Sequence, residues 1–224
     1  MSSRYRLAWG IGASLLLLAS TASSDLVKGG TSAPSMPGTL GVTIARDASD
    51  GAFAKRKSEA SCTAGIVDLA DAGPSIVTAK HCLGRSLVVF DDEDEVAIEG
   101  HREAEGEIDV ALLQAEASLH TAALPTRASS SLRRGERLCG YRIEKKDGHV
   151  VRQRICGRFL RFATRDGAPP LLLVGTPFPR GASGSPLLDE EGHVVGVVVA
   201  TQDAWGLAEP IEAAASLTHT PSRP

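Results

Sequence analysis

Almost nowhere in this chain do apolar residues recur at the three-to-four-residue spacing of a helix; they come as short runs cut off by glycine, proline and aspartate. Runs that brief cannot bury a helix face, whereas alternate residues of a strand reach opposite sides of a sheet, so about five or six residues already contribute to a core. One group of six comprises Leu40–Ala45, Ala64–Leu69, Ser75–Ala79, Leu87–Phe90, Val96–Glu99 and Ile108–Leu113. A second comprises Arg137–Ile143, Val150–Phe162, Leu171–Gly175, Ser185–Leu188, Val194–Ala200 and Gly206–Pro210. The polar, proline-containing stretch Leu124–Ser131 separates them as a linker, and only Glu209–His219 has helical character. The class expected is all-β: two six-stranded antiparallel β-barrels, over residues 25–124 and 125–224, with a short C-terminal helix and a site at their interface.

The first 24 residues stand apart. Arg4 and Arg6 precede an apolar run from Leu7 to Ala19, and small residues Ser20–Ser24 follow. Gly10, Gly12 and Ser14 interrupt the run, which is shorter than the roughly 20 apolar residues of a spanning helix, so residues 1–24 read as a signal peptide. Export to the medium or the periplasm is the expectation, with no membrane association once the signal is removed. The four cysteines of such a chain are expected to form two disulfides; three pairings are open, and the grouping of Cys62 with Cys82 and of Cys139 with Cys156 favours the local ones. The formal charge of −3 gives no argument for a nucleic-acid partner. The charge is uneven, however: acids dominate from Arg85 to Glu107, while twelve Lys and Arg between Arg127 and Arg165 face only Glu136, Glu144 and Asp147. Solvated strand faces account for this, with electrostatic selection of substrate as the functional alternative.

Three segments carry chemistry. Ser75-Ile76-Val77-Thr78-Ala79-Lys80-His81-Cys82 ends a strand on a histidine, Glu107-Ile108-Asp109-Val110-Ala111-Leu112-Leu113 sets an acid before an apolar strand, and Gly181-Ala182-Ser183-Gly184-Ser185-Pro186 holds a serine in a glycine-rich turn. They resemble the TAAHC, DIALL and GDSGGP motifs of the chymotrypsin-like serine proteases, in that family's chain order of His, Asp, Ser. Cys62-Thr63-Ala64-Gly65-Ile66-Val67 is similar to the family's Cys-Gly-Gly-Ser-Leu-Ile strand, and Leu124-Pro125 through Cys139-Gly140 to its inter-barrel linker and the opening strand of the second barrel. The short interval from His81 to Asp109, the Gly-x-Ser-Gly-Ser-Pro turn and Gly206-Leu207-Ala208-Glu209-Pro210-Ile211 resemble the compact bacterial members.

The resemblance implies a serine endopeptidase acting on polypeptides as a monomer, without metal or cofactor. Ser183 would be the nucleophile, His81 the general base, Asp109 the group that orients His81, and the amides of Gly181 and Ser183 the oxyanion hole. It implies the Cys62–Cys82 disulfide as well. For the second disulfide, counting outward from an Asp147-Gly148 hairpin turn sets Cys139 opposite Cys156. Alignment to the nucleophile turn makes Phe178, Val198 and Thr201 substrate-pocket candidates and puts Pro177 where trypsin-like enzymes carry an acid, so an uncharged side chain is the expected preference. Ala182 stands where digestive relatives carry the Asp that pairs with a newly cut N-terminus, so that activation latch is not expected.

Competing readings are weaker. A protease-fold protein that binds without cutting is kept open by Lys80, where the family has a small residue, and by Val199-Ala200-Thr201, where it often has Ser-Trp-Gly. An α/β-hydrolase elbow lacks its second glycine at Ser185. Zinc held by Cys62, His81, Cys82 and His101 lacks the spacings of zinc sites. His101, His120, His149, His193 and His219 read as surface residues, and Asp91–Glu95 as a solvated turn rather than a calcium loop.

Overall fold

The computed structural model describes residues 38–46, 58–69, 73–84, 86–91, 94–116, 122–146 and 149–219, all within one compact unit, Ala33–Pro224. The expected signal peptide and the Asp147-Gly148 turn lie outside the described residues. Thirteen strands are present among these residues. The first seven are β1 (Thr39–Arg46), β2 (Ser58–Leu69), β3 (Gly73–Thr78), β4 (Ser86–Asp91), β5 (Asp94–Val96), β6 (Ile98–Glu103) and β7 (Ala111–Ala115). They form one antiparallel sheet in the order β5-β4-β1-β2-β3-β7-β6. The remaining six are β8 (Arg137–Lys146), β9 (His149–Arg165), β10 (Ala168–Val174), β11 (Pro186–Leu188), β12 (Val194–Gln202) and β13 (Trp205–Pro210), and they close into a barrel, β10-β13-β12-β11-β8-β9.

The expected fold class holds, with a difference in the first half. The run Val96–Glu99 is not one strand. β5 pairs with β4 and β6 pairs with β7, at opposite edges of the sheet, and Ala97 alone joins them. Two edge strands linked by one residue force the sheet to curl until its edges meet, so the chain closes this half where the ladder does not. Ile108–Leu113 is likewise shortened: β7 begins at Ala111, and Asp109 lies ahead of it.

The core follows the two-residue period of strands. Ile66 packs with Leu40, Val42, Ile76, Val89 and Leu113 inside the first sheet, while its neighbour Val67 faces the opposite way, into a cluster with Val77, Leu112, Tyr141, Ile143, Val194 and Val197 drawn from both halves. β12 departs from that period, because its pairing with β11 skips Val195, and Val195 and Val198 both join Leu138, Phe159, Leu172 and Leu187 inside the second barrel. Both faces of these strands are therefore buried, which explains why their sequences read as continuous apolar runs rather than alternations.

The helix is shorter than the run that suggested it. α1 (Ile211–Ala215) continues as a 3-10 turn, Ser216–His219, and Glu209 belongs to β13. Pro210 explains the boundary, because it offers no amide to the strand and presets the backbone for the following helix. Glu212 in α1 accepts from the Ser129 amide and hydroxyl, both at 2.8 Å, and so ties down the linker. Among the described residues no helix is long and apolar enough to cross a membrane.

Candidate active site

His81 and Asp109 are neighbours because of one strand pair. β3 and β7 run antiparallel with Thr78 opposite Ala111. His81 follows the end of β3 in a 3-10 turn, Lys80–Cys82, and Asp109 precedes the start of β7, so both emerge from the same edge. Asp109 Oδ1 accepts from the His81 amide at 2.9 Å, and Oδ2 lies 2.5 Å from the ring Nδ1. A carboxylate offers no proton, so in the neutral ring the shared proton sits on Nδ1 and Nε2 keeps its lone pair. The His81 side chain is 41% exposed, which leaves the ring accessible to a reactant.

Ser183 lies in the turn between β10 and β11 and reaches this edge by contact between the two halves. Its carbonyl accepts from the Thr63 amide of β2 at 2.8 Å and lies 3.8 Å from Cys82 Sγ, beside His81. Gly184, at φ +85°, is what permits the approach. A Cβ there would stand 2.1 Å from Thr63 O and 2.3 Å from Thr78 Oγ1, closer than any side chain is tolerated. Gly181 also has positive φ, at +93°. Among the described residues Ser183 Oγ makes no hydrogen bond to His81, so the structure joins His81 and Asp109 directly and brings the backbone of Ser183 alongside. The amides of Gly181 and Ser183 likewise have no partner among the described residues, unlike those of Ala182, Gly184 and Ser185. The turn therefore presents two donors with no internal acceptor.

The histidine and cysteine cluster at Cys62, His81 and Cys82 is not a set of metal thiolates, because the two sulfurs are bonded to each other. His101 pairs instead with Glu103 at 2.9 Å. Both disulfides, Cys62–Cys82 and Cys139–Cys156, have the local pairing, and Cys139 stands directly opposite Cys156 between β8 and β9.

A model of the trypsin-like peptidase domain matches residues 62–197, a span that contains all three motifs. The chain belongs to this family. No curated protein matches it by sequence. Among solved structures, the HtrA-type protease AlgW with decapeptide is similar at TM-score 0.62 and 17% identity, over 82% of this chain and 64% of that one. The chain thus spans a little under two thirds of AlgW. The Rv3671c protease from M. tuberculosis, in its active form, gives TM-score 0.60 at 17% identity over 82% of this chain and 80% of that one. A thermostable serine protease, AL20, from an extremophilic microorganism gives 0.59 at 15% over 81% and 95%. At these identities the likeness is one of fold, and it agrees with the family match: this is a serine-type peptidase domain.

The pocket candidates of the peptidase domain differ in placement. Phe178 and Val198 are buried in the second barrel's core, and the Phe178 ring packs over Gly206 and beside Gly140. The backbone of Val198 is engaged with the nucleophile turn, accepting from Gly184 at 2.7 Å and donating to Ser185 at 2.9 Å. Thr201 is exposed, and its hydroxyl bridges the amide and carbonyl of Phe178 at 2.8 and 2.7 Å. Burial pushes the Tyr141 phenol above its ordinary range, against the opposing charge of Arg154. The Tyr141 amide donates to Ser185 Oγ at 2.7 Å and anchors the end of the turn.

Four residues at the site were not assigned a place there by sequence reasoning. Glu209 is fully buried in β13, and its Oε1 accepts from the Asp109 amide at 3.1 Å. Arg165, at the end of β9, meets both Glu209 oxygens at 2.8 and 2.9 Å and also donates to Glu107 O at 3.2 Å. Lys80 Nζ donates to Ala104 O and Gly106 O, each at 2.9 Å, so this departure from the family pattern holds the segment leading to Asp109. Thr63 contacts the nucleophile turn twice. A glutamate amid the apolar residues of β13 is the one local signal that was available.

Proposed function

We propose that this chain is an exported serine endopeptidase in which Ser183, His81 and Asp109 form the catalytic triad. The observation that carries the reading is the two-point grip of Asp109 on the backbone and ring of His81, facing a turn whose Gly181 and Ser183 amides have no other partner among the described residues. In this reading His81 Nε2 takes the Ser183 hydroxyl proton as Oγ attacks the scissile carbonyl. The oxygen that becomes negative is met by the amides of Gly181 and Ser183, which need no reorganisation because no described residue occupies them. His81 returns the proton to the departing amine, leaving an acyl-enzyme on Ser183, and water repeats the sequence to release the acid. Asp109 holds the tautomer and stabilises the imidazolium.

The same reading takes residues 25–124 as the half carrying His81 and Asp109, residues 125–224 as the half carrying Ser183, and residues 1–24 as the signal. Export is supported by the engagement of all four cysteines in disulfides. The substrate is polypeptide, as the decapeptide with AlgW suggests for a protein of this fold. Next to the turn, Phe178 and Gly206 offer no charge, which favours an uncharged side chain before the cleaved bond. The chain acts as a monomer with no metal or cofactor.

The test is active-site labelling with a fluorophosphonate, together with peptide hydrolysis, on the secreted protein and on Ser183→Ala. Labelling at Ser183 alone and a loss approaching about 10⁶-fold in turnover in the variant are expected. A wild type that neither labels nor cleaves would favour a binding protein, and undiminished hydrolysis by Ser183→Ala would remove Ser183 from the mechanism.

A further inference from the structure

The nucleophile turn has no acid at Ala182 with which to bind a charged N-terminus, yet two of its peptide units are held at both ends. The Gly181 carbonyl accepts from Thr63 Oγ1 at 2.8 Å, the Ala182 carbonyl from the Ser185 amide at 3.0 Å, and the Ser183 carbonyl from the Thr63 amide at 2.8 Å. On the donor side, the Ala182 amide binds Pro179 O at 3.1 Å and the Gly184 amide binds Val198 O at 2.7 Å. A trans peptide unit held at both its oxygen and its N–H cannot rotate, so the units joining Gly181 to Ala182 and Ser183 to Gly184 are fixed. Thr63 supplies one contact to each. Its hydroxyl does more, because Oγ1 also accepts from the Ile143 amide of β8 at 3.1 Å. Thr63 is fully buried, so water does not substitute for any of these bonds.

We propose that Thr63 is the positioning residue that latches the turn in its active form, a neutral counterpart of the charged latch that Ala182 rules out. This deepens the peptidase reading and rests on it. Gly181 has a φ of +93°, and its amide and that of Ser183, each adjoining a peptide unit that Thr63 helps to fix, meet no internal acceptor among the described residues. Without the hydroxyl, the Gly181 carbonyl and the Ile143 amide are both left buried and unpaired, and the turn gains by rotating a peptide unit to satisfy them. The latch belongs to the folded chain itself and requires no proteolytic event.

Thr63→Val preserves shape and removes the hydroxyl, Thr63→Ala removes it while leaving room for water, and Thr63→Ser restores it. Two readouts are taken on the full chain: amide hydrogen exchange over residues 179–185 by mass spectrometry, and kcat and KM on a peptide substrate. Val and Ala variants are expected to exchange the Ala182 and Gly184 amides at least about 10-fold faster with the rest of the barrel still protected. Their kcat is expected to fall about 10- to 100-fold, the loss of an oxyanion donor being the upper bound, with KM within about 3-fold. Thr63→Ser is expected to match the wild type in both. Exchange and kcat unchanged in Val and Ala would overturn the latch, as would a serine variant as impaired as valine, or a loss of protection spread over the whole barrel. Exchange requires no cleavage, so a wild type that proves inactive would defeat the peptidase reading while the latch is still decided by the turn amides.

Discussion

The open seven-stranded sheet and the closed six-stranded barrel carry their parts of the site in different ways. In the sheet, His81 and Asp109 leave the paired ends of adjacent strands, and their hydrogen bonds follow from the register of β3 against β7. In the barrel, Ser183 sits in a turn with little ladder of its own, and it is placed by Thr63 from the other half and by Val198 from β12. A local pairing thus joins His81 to Asp109, whereas contact between the halves places Ser183, the proposed nucleophile. The segment leading to Asp109 is the exception that joins the two, since it is held on one side by Lys80 within its own half and on the other by Glu209 and Arg165 of the barrel.

That comparison breaks most severely at Arg165. Arg165→Met leaves Glu209 as an unpaired, fully buried carboxylate, and a cost of about 3–5 kcal/mol is expected in urea unfolding. Adding Glu209→Leu is expected to return most of this stability while hydrolysis is low, because the Asp109 amide then loses its acceptor. Full recovery of activity in the double variant would mean that β7 alone positions Asp109.

The disulfides sharpen the contrast. They close loops of similar size, with sequence separations of 20 and 17, so replacing either pair by alanine is expected to cost a similar amount, about 3 kcal/mol. Activity should separate them. Removing Cys62–Cys82 frees the turn that carries His81 and is expected to lower kcat at least several-fold at a temperature where the protein stays folded. Removing Cys139–Cys156 takes one link from a ladder that pairs every residue from Arg137 to Lys146, and kcat is expected to hold. Equal kcat losses would show that the sheet is no more dependent on its staple than the barrel.

The smallest effect is expected at Lys80. Its two bonds to Ala104 O and Gly106 O are partly or fully exposed, so Lys80→Met is expected to cost about 1 kcal/mol, with kcat reduced a few-fold and KM little changed. A larger kcat loss than that of Arg165→Met would place the main hold on Asp109 inside its own sheet.

Much of the architecture was legible because strands reveal themselves locally. All six runs of the second group became strands of the barrel, and the local cysteine pairs became the disulfides. The misreadings came where the chain does something short-range pattern does not register. Val96–Glu99 looked like one strand, yet it straddles two edges, because a single residue at Ala97 suffices to change partners. Glu209 was shared between the strand run Gly206–Pro210 and the helical stretch, and the strand holds it because its burial is made tolerable by Arg165, 44 residues away.

By itself, the sequence determined the all-β class and the segments bearing His81, Asp109 and Ser183, since each depends on a few adjacent residues. Only the tertiary structure decided what holds those segments in place. Thr63 acts on a turn 118 residues away, and Glu209 acts on an amide 100 residues away. Hydrogen bonds of that range join atoms that the fold brings together, and a threonine in a strand carries no mark of them, nor does a glutamate among apolar residues name its partner, until the two halves have packed.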